Sequence, residues 1–184
     1  MNVIIDHQNK FLFKEIPSDF NTSNSSATLI RMLQGLGYRY YWAIENLVDR
    51  DLDYKPSIDS RTIRETLEHI YSLTLMIKKA QSNEYNFRPL KNGSKDLSKL
   101  KEKTLSNIHI TIEILEKTPF NKILENKIII IHNKKEYYFD YWNIINGPIS
   151  DAIYHIGQIV SFRRSIGKPI NKGVNFLIGK TKIN

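Results

Sequence analysis

The chain has 184 residues, of which 41% are hydrophobic and 25% are charged, so it is long enough for one hydrophobic core and too short for two comfortable domains. We therefore expect a single domain over residues 1–184. The absence of cysteine excludes disulfides, thiolate metal ligands and cysteine nucleophiles. The net charge of +8 comes from dispersed lysines without a nucleic-acid-binding motif, so a nucleic-acid partner is not expected.

Targeting signals are not evident in the sequence. Acidic and amide side chains interrupt the N-terminal residues where a secretory signal needs an apolar core. No stretch approaches the ~20 apolar residues of a membrane-spanning helix. The sequence predicts a cytoplasmic protein with no membrane partner.

The first long helix is predicted over residues 25–48, where apolar residues recur every three or four positions. Residues 1–23, before it, hold two short apolar runs and are expected to form an irregular arm. Gly35 and Gly37 lie inside the helix, where glycine is unfavourable. They indicate a close approach by another backbone segment or a local irregularity.

A second helix follows Pro56, and Thr62 with Glu65 gives the capping-box pattern that starts it. The helix is predicted to end near Ala80. His69 shares a face with apolar residues, so its imidazole is predicted to point toward the core. A lone histidine on such a face is typically a hydrogen-bonded core residue.

Residues 82–92 are expected to form a loop before a third helix, which Ser94 or Asp96 could cap and which extends to about Lys117. Two segments rich in β-branched and aromatic residues follow at 123–131 and 137–142. The polar residues between them supply a turn, so the pattern predicts a small β-hairpin.

The last helix is predicted over residues 146–167, because Gly147 and Pro148 interrupt the preceding segment and Gly167 ends the pattern. At ~100° per residue, a polar side of this helix lies opposite an apolar one, so both sides need neighbours. The polar side consists of Asp151, His155 and Gln158, together with Phe162, and the apolar side of Ile149, Ile153, Ile156 and Val160.

Asp151 and His155 are one helical turn apart, so their side chains can reach one metal ion. Two ligands do not make a site. The same pair fits an acid placed favourably at the helix dipole and a histidine satisfied within the core, and a third ligand would favour the metal. Residues 168–184 are expected to form a tail whose apolar group at 174–178 docks on the helices.

Four amphipathic helices, an inward histidine on the second and a possible ligand pair on the last form a combination that resembles the DinB-like family. The matching segments are DLDYKPSIDSRTIRETLEHI, residues 51–70, and DAIYHIGQIVSFRRSIGKPI, residues 151–170. They cover a modest part of the chain, in the family's order. The resemblance implies an all-α four-helix bundle, with the small hairpin before its last helix, and a divalent metal between the second and last helices.

The resemblance also implies which residues bind the metal. The family's histidine on the second helix corresponds to His69, and one on its last helix corresponds to His155. The third ligand, commonly histidine, falls on Asp151, which would complete a two-histidine, one-carboxylate set or only orient a ligand. Gln158 matches the family's HxGQ segment and could orient a water or a ligand, or make a packing hydrogen bond. Zinc, nickel, iron and manganese all suit such donors.

Three protein ligands leave coordination positions open, so we expect a metal-dependent enzyme. Characterised DinB-like relatives include enzymes that use low-molecular-weight thiols. The chain is thus similar to a thiol-dependent S-transferase, with a hydrolase as the next alternative, and a small-molecule substrate and a homodimer are the expected partners. A different class stays open: a non-catalytic, stress-associated or metal-stabilised helical bundle that acts as a binding module.

Overall fold

The structure, a computed structural model, describes residues 13–17, 25–90 and 96–182. Its elements in chain order are helices α1 (Ser26–Ile44) and α2 (Ile63–Lys79), strand β1 (Tyr85–Arg88), helices α3 (Leu97–Lys117) and α4 (Phe120–Leu124), strands β2 (Lys127–His132) and β3 (Lys135–Asp140), helix α5 (Ser150–Ser165), and strands β4 (Val174–Asn175) and β5 (Lys180–Thr181). Within these ranges, no helix combines the length and the apolar character that crossing a bilayer requires.

Two of the long helices begin at caps that the sequence supplies. Thr62 accepts a hydrogen bond from the amide of Glu65 at 3.1 Å, and the Glu65 carboxylate accepts one from the Thr62 amide at 2.8 Å, so the predicted capping box is confirmed. Asp96 caps α3 by accepting from the Lys99 amide at 2.7 Å. The other predicted cap, Ser94, lies outside the described residues. α2 packs against α3 and α5, and α1 packs against the same two helices, so apolar residues of all four form the core.

Gly37 allows the ring of Phe13 to lie directly against α1. A Cβ at this position would be 2.4 Å from a ring carbon of Phe13, which is closer than side chains can pack. The predicted close approach is present, although an aromatic side chain makes it rather than a backbone. Phe13 belongs to the described part of the predicted arm, and residues 1–12 and 18–23 of that arm lie outside the described residues.

The strands of the predicted hairpin belong to a larger sheet. β2 and β3 are antiparallel, and Asn133 and Lys134 join them with φ angles of 49° and 61°. Positive φ at both positions is typical of a tight two-residue hairpin turn. β1 lies parallel to β2 on its other side, which gives the order β1-β2-β3. The loop predicted at 82–92 is therefore wrong over Tyr85–Arg88.

The prediction of an all-α four-helix bundle is wrong. The protein is a mixed α/β structure, with a mixed three-stranded sheet and a two-stranded sheet of β4 and β5 beside its helices. The physical reason lies in β1, whose four residues become a strand only by pairing with β2. Asn86 of β1 also donates a side-chain hydrogen bond to the carbonyl of Ile129, 43 residues later, at 3.0 Å.

The two ends of α5 follow the predicted signals. A π-helical turn, Ile145–Ile149, leads into the helix, and within it Gly147 departs from helical geometry with φ −87° and ψ −110°. Pro148 comes next, where a helix tolerates proline because no amide is needed. Gly167, just past the last turn, has the left-handed φ of 73° that favours glycine at a helix end.

The buried face of α5 differs from the prediction of two separately covered sides. One continuous stripe faces the core, and it consists of Ala152, His155, Ile156, Ile159 and Arg163. His155 lies at an edge of this stripe, and Asp151 and Gln158 lie just outside it, half-buried. The polar group is therefore at the border between the core and the solvent.

Arg163 fastens the end of α5 to the end of α1. Its buried guanidinium donates to the carbonyl oxygens of Ala43 and Glu45 at 2.9 and 2.7 Å, and its Nε donates to that of Lys168 at 2.7 Å. The carbonyls at the end of a helix lack partners within it, so this contact satisfies them. The Lys168 ammonium in turn pairs with the buried carboxylate of Asp51 at 2.6 Å.

The C-terminal tail docks through only part of its apolar group. The ring of Phe176 packs edge-on against Tyr38, with 5.9 Å between the ring centroids. The amide of Ile16 donates to the carbonyl of Gly179 at 2.8 Å, which ties the N-terminal segment to the tail. Leu177, in contrast, is 93% exposed.

Candidate metal site

Three potential ligands meet where α5 packs against α2. His69 lies in the second turn of α2, whose start is fixed by its capping box. Asp151 lies in the first turn of α5, and His155 follows one turn later. The contact between the two helices brings together side chains that are 82 residues apart in the chain.

The Asp151 carboxylate lies between two imidazoles. Its Oδ2 is 3.2 Å from Nε2 of His69, and its Oδ1 is 3.2 Å from Nε2 of His155. The two rings are nearly perpendicular, with 4.6 Å between their centroids. One ligand atom from each residue can be chosen so that all three lie within 4.8 Å of one another.

The group is buried on one side and open on the other. The exposed fraction of the side chain is 10% for His155, 25% for His69 and 42% for Asp151. His155 is thus held by the core, while the carboxylate faces solvent. The group is therefore open to solvent on the Asp151 side.

Gln158 contacts the ring nitrogen of His155 that faces away from Asp151. Its carboxamide lies 2.7 Å from Nδ1 of the imidazole. With the carboxamide oxygen as the acceptor, Nδ1 carries the proton. In the neutral ring, Nε2 then carries a lone pair, and this nitrogen is the one that faces Asp151.

Electron pairs therefore converge on one small space. The lone pair of His155 Nε2 faces a carboxylate oxygen of Asp151 at 3.2 Å, and two acceptors at this distance repel each other unless a proton or a cation lies between them. His69 presents its Nε2 to the other oxygen at the same distance. The contacts are satisfied by a proton on the imidazole nitrogen or by a metal ion between the nitrogen and the oxygen.

The surroundings of His69 favour its neutral form. Partial burial lowers the pKa of this histidine, the positive charge of Arg61 lowers it further, and the hydrogen bond with Asp151 only partly opposes them. A neutral imidazole is the form that binds metal, because its lone pair is available.

The donor set fits a divalent transition metal. Zinc takes imidazole nitrogen and carboxylate oxygen at about 2.0–2.1 Å, so two donors at a tetrahedral angle stand roughly 3.3 Å apart. Both N···O distances here are 3.2 Å. Two histidines and one carboxylate also form the triad of non-haem iron sites. The residues fit such an ion without selecting among zinc, nickel, iron and manganese.

No family model matches the chain, and no curated protein matches it. Membership of the DinB-like family therefore stays a prediction.

The structure brings together the three ligands that the sequence predicts, His69, Asp151 and His155. It also places Gln158 against His155 rather than against Asp151. Binding of an ion by this group stays a prediction.

Two neighbours of the group were missed by the sequence analysis. Arg61 adds positive charge near His69, and the exposed ring of Tyr154 lies edge-on to His155, with 5.3 Å between the ring centroids. Arg61 lies just before the Thr62 cap of α2, outside the helix, so helical spacing gave no signal for its position near His69. Tyr154 directly precedes His155 and carried no signal beyond that adjacency.

Proposed function

We propose that this chain is a divalent-metal-dependent enzyme whose ion is held by His69, Asp151 and His155. The observation that supports the proposal is the convergence of two imidazole nitrogens and a carboxylate on one half-open space, while Gln158 holds the proton of His155 on the far side. A divalent ion in this position would supply a Lewis acid, which polarises an electrophile or lowers the pKa of a water or a thiol.

The chain's own residues would position the reactants. Buried His155 anchors the site to the core, and the exposed side of Asp151 leaves an entrance for a small-molecule substrate. Because the chain has no cysteine, a thiol must come from a second small molecule. The reaction we propose is attack of a low-molecular-weight thiol on an electrophilic carbon of the substrate: a C–S bond forms, the bond from that carbon to its leaving group breaks, and the leaving group departs with the thiol proton.

Hydrolysis is the second candidate reaction. The two oxygens of Asp151 face different imidazoles. If one oxygen binds the ion, the other is available to accept a proton from a water on the solvent side.

A non-catalytic helical domain is the competing function. In that case Asp151 would tie α2 to α5 by accepting a hydrogen bond from His69 at 3.2 Å, and its 3.2 Å contact with His155 would be a pair within α5. Metal content tests the metal-free form of this function, and activity together with stability to chelation tests its metal-stabilised form.

Metal content measured by mass spectrometry on the untagged chain tests the site. His69→Ala and His155→Ala should each lose the ion, and Asp151→Ala should lose it only if the carboxylate is a ligand. His132→Ala is the matched control, because His132 is exposed at the end of β2. We expect about one ion per chain in the native protein and in the control. No ion after reconstitution with zinc, nickel, manganese and ferrous iron, or an unchanged content in both site variants, would refute the proposal.

Activity assays on the metal-loaded chain separate the reactions. One assay follows consumption of a low-molecular-weight thiol by an electrophile, and the other follows hydrolysis of an activated ester. A rate that is lost in His155→Ala and kept in His132→Ala supports the enzyme. Retained metal with neither activity, together with unfolding on chelation, would indicate a structural ion and a binding module instead.

A further inference from the structure

Strand β3 forms an edge of the three-stranded sheet. Because its turn has two residues, the backbone groups of Lys135, Tyr137 and Phe139 bond to β2. Those of Glu136 and Tyr138 point the other way, and no strand in the described part of the chain pairs with them. This side of β3 offers a row of donors and acceptors to an added strand.

The middle of β3 is aromatic and exposed. Tyr137, Tyr138 and Phe139 are 43%, 58% and 44% exposed. Since side chains alternate along a strand, this apolar surface lies on both faces of the sheet edge. Edge strands are usually protected by a charge or a proline along their length, whereas the charges of β3 lie toward its ends.

The charges at the two ends of β3 are opposite. Lys134, the last residue of the turn, and Lys135, the first of the strand, lie at one end. Asp140, whose carboxylate also pairs with Lys127 of β2 at 2.7 Å, lies at the other. An identical strand that runs antiparallel therefore brings opposite charges together at both ends. The acids Glu136 and Asp140 on this exposed strand disfavour a polyanion such as nucleic acid.

We propose that β3 pairs antiparallel with β3 of a second copy of this chain, so that two three-stranded sheets form one continuous sheet across a two-fold axis. The contact is self-complementary, as a two-fold interface requires. Backbone hydrogen bonds join the strands, and the exposed aromatic rings of both copies cover one another.

Charge also selects the register of this pairing. Antiparallel strands place residues of the same backbone orientation opposite each other, so the two-fold axis passes through either Tyr137 or Tyr138. With Tyr137 on the axis, Lys134 faces Asp140 of the second copy. With Tyr138 on the axis, Glu136 would face Asp140 of the second copy, and like charges opposite each other are unfavourable. The pairing is therefore centred on Tyr137.

Single cysteines introduced into this cysteine-free chain test the register. In Tyr137→Cys, the two thiols face each other in a non-hydrogen-bonded pair with about 4.5 Å between Cα atoms, which lies within the range of a disulfide. In the matched control Tyr138→Cys, the thiols are offset along the strands beyond the roughly 7 Å that a disulfide tolerates. Under mild oxidation with diamide, we expect a covalent dimer for Tyr137→Cys and a monomer for Tyr138→Cys. Equal cross-linking of both, or cross-linking of Tyr138→Cys alone, would overturn the proposal.

Charge reversal tests the pairing without a cross-link. Lys134→Glu and Asp140→Lys each put like charges at both ends, so each should dimerise about ten-fold more weakly than the native chain. An equimolar mixture of the two variants restores opposite charges at both ends and should form a heterodimer. The readout is mass by analytical ultracentrifugation, against the chain mass of 21.6 kDa. A native chain that stays monomeric, or a dimer that neither reversal weakens, would overturn the proposal.

Discussion

Replacing Gln158 with leucine removes the acceptor that holds the His155 proton on Nδ1. In the native chain this 2.7 Å contact keeps Nε2 unprotonated toward Asp151. Without it, His155 also populates the form with the proton on Nε2, which cannot bind a metal through that nitrogen. Loss of such a supporting contact lowers metal affinity about 10–100-fold. We expect a loss near the lower figure, because the ring is only 10% exposed and packing keeps it in place.

Gln158→Glu supplies the opposite change. A carboxylate is the stronger acceptor, so this variant should bind metal at least as tightly as the native chain. Competition of zinc against a chromophoric chelator measures both affinities, and Gln34→Leu, which removes a partner of Arg31 on α1, is the matched control. A leucine variant that binds metal as tightly as the native chain, or more tightly, would show that Gln158 does not favour the metal-binding form of His155. That result, or a glutamate variant that binds more weakly than the leucine variant, would refute the reasoning.

Three further predictions concern the fold. Arg163→Met leaves the carbonyls of Ala43 and Glu45 without their donor, so the free energy of unfolding measured in urea should fall by about 3–5 kcal/mol. The control Arg164→Met, at an exposed neighbour, should stay near the native value. A decrease below about 1 kcal/mol for Arg163→Met would contradict this role. Burial raises the pKa of Asp51, but hydrogen bonds from Lys168 and Val48 outweigh it and hold the pKa below its ordinary value. This stabilisation is present above the ordinary pKa of about 4 and is lost as pH falls through the lower pKa of the folded state. Asp51→Asn should therefore reduce the fall in the free energy of unfolding at acid pH. An unchanged fall would contradict the role of Asp51. Gly37→Ala places a Cβ against the ring of Phe13 and should cost about 1–3 kcal/mol in thermal unfolding; an equal cost in a Phe13→Ala background would rule out the clash as its cause.

Local signals in the sequence predicted the four long helices, but they missed α4, part of which was predicted as the first strand of the hairpin. The Thr62 and Glu65 capping box and the Asp96 cap are contacts within a few residues, so the sequence around them is sufficient to define them. β1 could not be predicted in this way, because Tyr85–Arg88 gains its strand geometry from β2, more than forty residues later. The all-α prediction failed for the same reason, since it took the hairpin as an isolated connection.

The sequence predicted which residues form the candidate site, but it did not predict how buried they are or what surrounds them. The spacing of Asp151 and His155 is a property of one helix, and a family resemblance added His69. The burial of α5 depends on how the helix is rotated against its neighbours, and this rotation placed His155 at the edge of the core stripe rather than on a separate face. The role of Arg163 could not be predicted from the last helix, because its acceptor Ala43 on α1 lies 120 residues earlier.

The ligands of the candidate site are divided between distant parts of the chain. His69 precedes the exposed hairpin turn at Asn133 and Lys134, while Asp151 and His155 follow it. A chain cut at this turn would yield two fragments, neither of which holds all three ligands. Binding of an ion by all three ligands would therefore require α5 to be docked on α2, and the binding free energy would stabilise the association of the two fragments.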